Sequence, residues 1–133
     1  MSRENVGVVE RAWRAYQGGD LSAALADVDK DFVAIRVRPT PDVVPYSGSE
    51  GMVQMLADWI DGFAEFQLTA EEFNDANERH VIVRIHQRAM GVKSGVPIEA
   101  DFWMVHTTRD AKMLRMDICG NEAQALKAVG VAQ

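Results

Sequence analysis

The apolar positions in the first half of the chain recur at helical intervals. Val6, Val9, Trp13 and Tyr16 fall on one helix face, and Gly18-Gly19 supplies the left-handed stop that a helix end favours. Asp20 is placed as the N-cap of a short second helix carrying Leu21, Ala24, Leu25 and Val28, closed by the turn-prone Asp29-Lys30-Asp31. Phe32 to Arg38 reads as a first strand. Pro39, Pro41 and Pro45 then forbid regular pairing and predict a loop, which leads through "YSGSEG" into a third helix. The stripe of that helix is Met52, Leu56, Trp59, Ile60 and Phe63.

From Phe66 onward the period becomes two. Phe66 to Phe73, Arg79 to Met90, Ile98 to Thr108 and Lys112 to Cys119 read as strands, separated by the turn-type segments "NDANE", "GVKSGV" and "RDA". This is an antiparallel meander. Asn121 then caps a terminal helix, Glu122 to Val129, ended by Gly130. Helices early and a curled antiparallel sheet late predict an α+β fold with helices on one sheet face, formed by a single domain over residues 1–133.

Composition narrows the function classes. With 14 basic and 20 acidic residues, a net charge of -6 and a pI near 5.0, the chain is a poor partner for a phosphate backbone or an anionic membrane, so neither nucleic acid nor membrane is expected. Cys119 is the lone cysteine and the N-terminus opens no apolar signal region, which points to a reducing cytoplasm. No phosphate loop or dinucleotide fingerprint is present, and no cofactor is implied. The histidines lack the spacing of a metal site, so no metal is expected. Ser49 in "GSEG" precedes a helix without the strand that a nucleophile elbow needs, so Ser47 or Ser49 reads as a cap.

Four segments, "AWRAYQGGDLSAALA", "PYSGSEGM", "ANERHVIVRIHQRAMGVKSGVPIE" and "TTRDAKMLRMDICGNEAQALKAVG", resemble in their order the SnoaL-like branch of the nuclear transport factor 2-like superfamily. The resemblance implies a cone of strongly bent antiparallel sheet, closed by N-terminal helices around a largely apolar pocket, with dimerisation through the outer sheet face. Members include ketosteroid isomerases, polyketide cyclases, dehydratases, epoxide hydrolases and plain binding or association domains, so the fold leaves function open. Arg36, Ala12 and Met104 stand where ketosteroid isomerases carry the carboxylate base, the oxyanion-hole tyrosine and the second acid. Those departures argue against steroid isomerisation by that mechanism.

The stretch "MLRMDICG" carries the chemical question. Read as an isolated strand, Met113, Arg115, Asp117 and Cys119 share one side, and the charges form a solvated face. The resemblance reverses this, placing Arg115, Asp117 and Cys119 in the pocket and leaving Leu114, Met116 and Ile118 outside with Trp103 and Val105, an apolar row that a second copy would cover. It also implies that Phe102, Met104 and His106 face inward, with Trp13, Tyr16, Trp59, Phe63, Val83 and Ile85 completing the wall. His80, Arg84, His86 and Arg88 share the convex side. The resulting expectation is a homodimeric, cytoplasmic domain binding a small apolar molecule. Acid/base catalysis would use Asp117 as proton acceptor, His106 as donor or relay and Arg36 as stabiliser of a developing oxyanion. The alternative is a ligand-binding or association domain without turnover, favoured if an arginine consumes both Asp117 oxygens.

Overall fold

The computed structural model describes residues 2–36 and 46–130, the side chains of Ser2, Arg3 and Arg36 excepted. The proline loop and the end of the first strand at Arg38 lie outside the described residues. Helix α1 (Ser2–Gln17) stops at Gly18-Gly19, where Gly19 takes a φ of 84° that only glycine adopts freely. Asp20 accepts from the Ala23 amide at 3.0 Å and caps α2 (Leu21–Ala24). The second helix is shorter than its apolar spacing predicts, because Val28 already pairs with Met113 as the first residue of strand β1 (Val28–Arg36). Strand β2 (Tyr46–Ser47) and helix α3 (Gly48–Ile60) follow; Ser47 occupies the cap position, but its side chain makes no capping bond. Gly51 is needed here, since a Cβ would sit 2.7 Å from the Tyr46 carbonyl carbon.

Strands β3 (Phe63–Asp75), β4 (His80–Gly91), β5 (Pro97–Arg109) and β6 (Lys112–Cys119) form the expected meander, and α4 (Glu122–Ala128) is capped by Asn121. The sheet order is β2-β1-β6-β5-β4-β3. The sheet is mixed rather than wholly antiparallel, because β1 lies parallel to β6. It is also open, with β2 and β3 at its edges. Register shifts interrupt β1, β3 and the β5–β6 ladder, and such bulges bend strands around whatever they cover. No helix among the described residues is long and apolar enough to cross a membrane.

Cross-strand partners share a face, which fixes the two sides of the sheet. Val83 pairs with Met104, Met104 with Ile118, His106 with Met116, and Met116 with Ala34. These lie on the concave side, packed against Val8, Val9 and Trp13 of α1 and Met52, Met55 and Trp59 of α3. On the convex side Ile82, Val105 and Cys119 are covered by Ala125 of α4, with Trp103, Leu126 and Val129 at the margin.

The inferred parity of β6 is therefore inverted. Met116 and Ile118 point into the core, while Arg115, Asp117 and Cys119 face the other way. Arg115, Asp117 and Cys119 thus keep the side that plain alternation gives them, against the side that the resemblance implied, and a bulge changes Met113 alone: Thr107 pairs with Arg115 but Thr108 with Met113, so Leu114 is the extra residue. Met113 thereby joins Met116 on the concave face instead of alternating with it. The outer apolar row of Leu114, Met116 and Ile118 does not exist, and Val105 is buried by α4 of the same chain.

Candidate functional site

Between α1, α2, α3 and the concave sheet lies a cavity of about 60 Å³, within a groove of about 500 Å³ when its open side is counted. Leu21, 38% exposed, sits on its rim. Trp13 and Tyr16 come from α1, Met52 and Met55 from α3, and Met104, Met113 and Met116 from the sheet. Thioethers on flexible stems give a wall that adapts its shape. The volume exceeds that of a water site and is far below the ~300–1,000 Å³ of a drug-sized pocket, so a larger guest needs those methionines to move.

His106 brings the polar chemistry. It is 3% exposed, and the Trp13 indole Nε1 donates to its Nε2 at 3.2 Å. An indole N–H can only donate, so Nε2 must be the unprotonated nitrogen and the ring proton resides on Nδ1. That Nδ1 is the one buried side-chain polar atom without a partner among the described residues. Burial pushes the imidazole pKa down to about 4, so the ring is neutral near pH 7 and donates a hydrogen bond rather than a proton. The same geometry removes His106 as a metal ligand, because the lone pair of the neutral ring is already engaged by Trp13.

Asp117 is not part of this cavity. It is 5% exposed beneath the convex face, where Arg115 Nε donates to both its oxygens at 3.0 and 3.1 Å and Arg115 Nη2 lies 3.0 Å from Oδ1. Its ladder partner is Val105, whereas His106 faces Met116, so the structure separates the expected acid/base pair by the thickness of the sheet. Cys119 lies on the Asp117 side, and desolvation raises its thiol pKa to about 11, leaving it unreactive near neutrality. Arg36 pairs through its backbone with Ile118; its side chain lies outside the described residues.

The remaining expected wall residues divide. Trp13, Tyr16 and Met104 line the cavity. Val83 and Ile85 are fully buried in the surrounding core. Trp59, Phe63 and Phe102 do not line it: with Phe66 they fill one end of the concave side, Trp59 meeting Phe102 edge-on at 5.5 Å and Phe66 at 6.0 Å. Trp59 also donates to the buried Gln87 at 3.0 Å. Periodicity gave no reason to single out Gln87, Met55, Leu68 or Met113; for Met113 the missing signal was the bulge at Leu114, whereas alternation alone put Met116 opposite the charges.

Two other places hold polar groups. A hollow of about 380 Å³ at the far end of β3–β5 is lined by Glu65, Gln67, Arg88 and Glu99 among others, and Arg88 and Glu99 already pair at 3.3 Å. On the outer face Glu71, His86 and Asp101 bring potential metal-ligand atoms within 4.8 Å of one another, carboxylate company for His86 that the sequence did not reveal. Asp101 is held there by His86 at 2.7 Å and Arg84 at 3.7 Å, and hydrogen bonds to Asp101 and Glu99 raise the His86 pKa. Ion pairing accounts for His86 and Asp101.

A bent sheet wrapped over helices, with an apolar cavity between them, defines a nuclear transport factor 2-like architecture. The chain belongs to the SnoaL-like domain family, whose model matches residues 9–116. TerC, crystallised with polyporic acid, is similar at 17% identity over 96% of this chain and 98% of that one, with a TM-score of 0.75. A nuclear transport factor 2-like protein from Burkholderia thailandensis gives 15% identity, 97% of each chain and a TM-score of 0.77. Bal32a, from a soil-derived mobile gene cassette, gives 12% identity, 96% of each chain and a TM-score of 0.76. No curated protein matches the sequence.

Proposed function

We propose that this SnoaL-like domain binds a small, largely apolar molecule in the concave cavity, and does so without an acid/base step at Asp117. The observation that carries the reading is the apolar, methionine-lined space between α1–α3 and the sheet. The crystallisation of TerC, a protein of the same fold, with an organic small molecule supports it. The bidentate hold of Arg115 on Asp117 favours binding over turnover, since both carboxylate oxygens are consumed on the face away from the cavity.

Met104→Trp tests the proposal. Met104 is 2% exposed and borders the empty space, so an indole there fills the cavity from the sheet side. Titration of small cyclic ketones, followed calorimetrically, is expected to show binding to the wild-type protein and none to the variant. Circular dichroism should remain that of the folded chain. Equal uptake by both proteins would place the ligand elsewhere.

A further inference from the structure

We propose that Glu71, His86 and Asp101 form a site for one divalent cation of the zinc type on the outer face of the sheet, apart from the concave cavity. Each comes from a different strand, β3, β4 and β5 in turn, and one potential ligand atom from each lies within 4.8 Å of the others. A bulge puts Glu71 there. Ala70 pairs with Ile85 and Glu72 with Arg84, so Glu71 is the extra residue of β3, and two consecutive glutamates reach the outer face where plain alternation allows one.

The rest of the group is paired and Glu71 is not. Glu72 meets Arg84 at 3.7 Å, Glu99 meets Arg88 at 3.3 Å, and Asp101 gives Oδ2 to Arg84 and Oδ1 to His86. Glu71 has no hydrogen bond or ion pair among the described residues. Around His86 the four carboxylates of Glu71, Glu72, Glu99 and Asp101 therefore face two guanidinium groups, Arg84 and Arg88, and the excess of two negative charges is what a divalent ion balances. The groups that would orient the ligands are also in place. In the neutral ring, Glu99 Oε1 at 3.3 Å holds the proton on Nε2 and leaves the Nδ1 lone pair toward Asp101, whose far oxygen is held by Arg84. Two ligands of one zinc ion stand about 3 Å apart. His86 Nδ1 and Asp101 Oδ1, at 2.7 Å, need to part only slightly, and the exposed Glu71 closes on them by a change of rotamer. The imidazole favours zinc over calcium or magnesium, which take oxygen ligands.

The test is calorimetric titration of the tag-free full chain with zinc chloride. The wild type is expected to take up one ion, and Glu71→Gln to bind it about tenfold more weakly, the worth of one lost bond to a charged group. Glu72→Gln removes the same charge from the next residue but no ligand, and should weaken binding by about threefold or less, the screened effect of one exposed charge. Both glutamates are exposed, so neither variant disturbs the fold. Nitrogen NMR should show zinc moving the His86 ring resonances and leaving those of His80 and His106 in place. Absence of zinc binding by the wild type, equal losses in the two glutamate variants, or a shift at His80 in place of His86 overturns the proposal.

Discussion

His106 couples this fold to pH. Its folded pKa, near 4, lies below the ordinary 6.5, so between these values the unfolded chain binds the proton that the folded chain refuses. The stability this residue permits is complete above pH 6.5 and is lost progressively as pH falls toward 4, a change on the order of 3 kcal/mol. Facing it are cavity methionines and Tyr16, whose phenol pKa burial raises further, so no neighbour on this wall titrates in that window. Urea unfolding across this range should show a steep loss for the wild type and a shallower one for His106→Phe; parallel curves would contradict the buried neutral imidazole. Asp117 makes the opposite kind of prediction. Arg115→Met leaves its carboxylate buried without its partner and should destabilise the protein by about 2 kcal/mol, with ketone affinity in calorimetry unchanged because the pair lies across the sheet.

At the scale of elements, the β5–β6 hairpin turns on Asp110 and Ala111, with φ of 51° and 60°. Positive φ at both central residues is the geometry that matches strand twist, and alanine adopts it at a steric cost. Ala111→Gly should stabilise the protein by about 1 kcal/mol, read as a higher denaturant midpoint; an unchanged or lowered midpoint would contradict the turn assignment. The same hairpin shows where sequence legibility ends. The four strands of the meander and most helices were readable because each keeps one period and ends at a glycine, a capping residue or a polar turn, whereas the two-residue β2 was too short to show one and Phe63, counted with the third helix, opens β3. The face of β6 was legible in plain alternation, which set Met116 and Ile118 against Arg115, Asp117 and Cys119; the resemblance turned it over, and the bulge at Leu114, marked by no glycine or proline, hid only the side of Met113. The parallel β1–β6 pairing was also hidden, since it joins strands far apart in sequence through no local turn signal. His106 and Met104 could be placed on the concave strand face, whereas the Trp13 bond that gives His106 its chemistry is a contact between α1 and β5 that no spacing rule contains.

At the scale of the whole molecule, the two sides of the sheet have divided the work. The concave side holds the cavity, and the convex side presents a ladder in which Arg84 meets Glu72 and Asp101 at 3.7 Å and Glu99 meets His86 and Arg88 at 3.3 Å. A homodimer through the outer sheet face, as the resemblance implies, would have to form on charges rather than on an apolar row. Its dissociation in sedimentation velocity should increase with salt; a salt-independent dimer would place the contact elsewhere.

The central claim, that the concave cavity is the binding site, is tested most directly by isotope-labelled methionine methyl NMR during cyclopentanone titration. Met52, Met55, Met104, Met113 and Met116 line the cavity, while Met90 borders the separate hollow at the far end of β3–β5. The account predicts saturable shifts of the cavity methyls with Met90 unmoved. Shifts confined to Met90, or cavity methyls unmoved at saturating ketone, would contradict it.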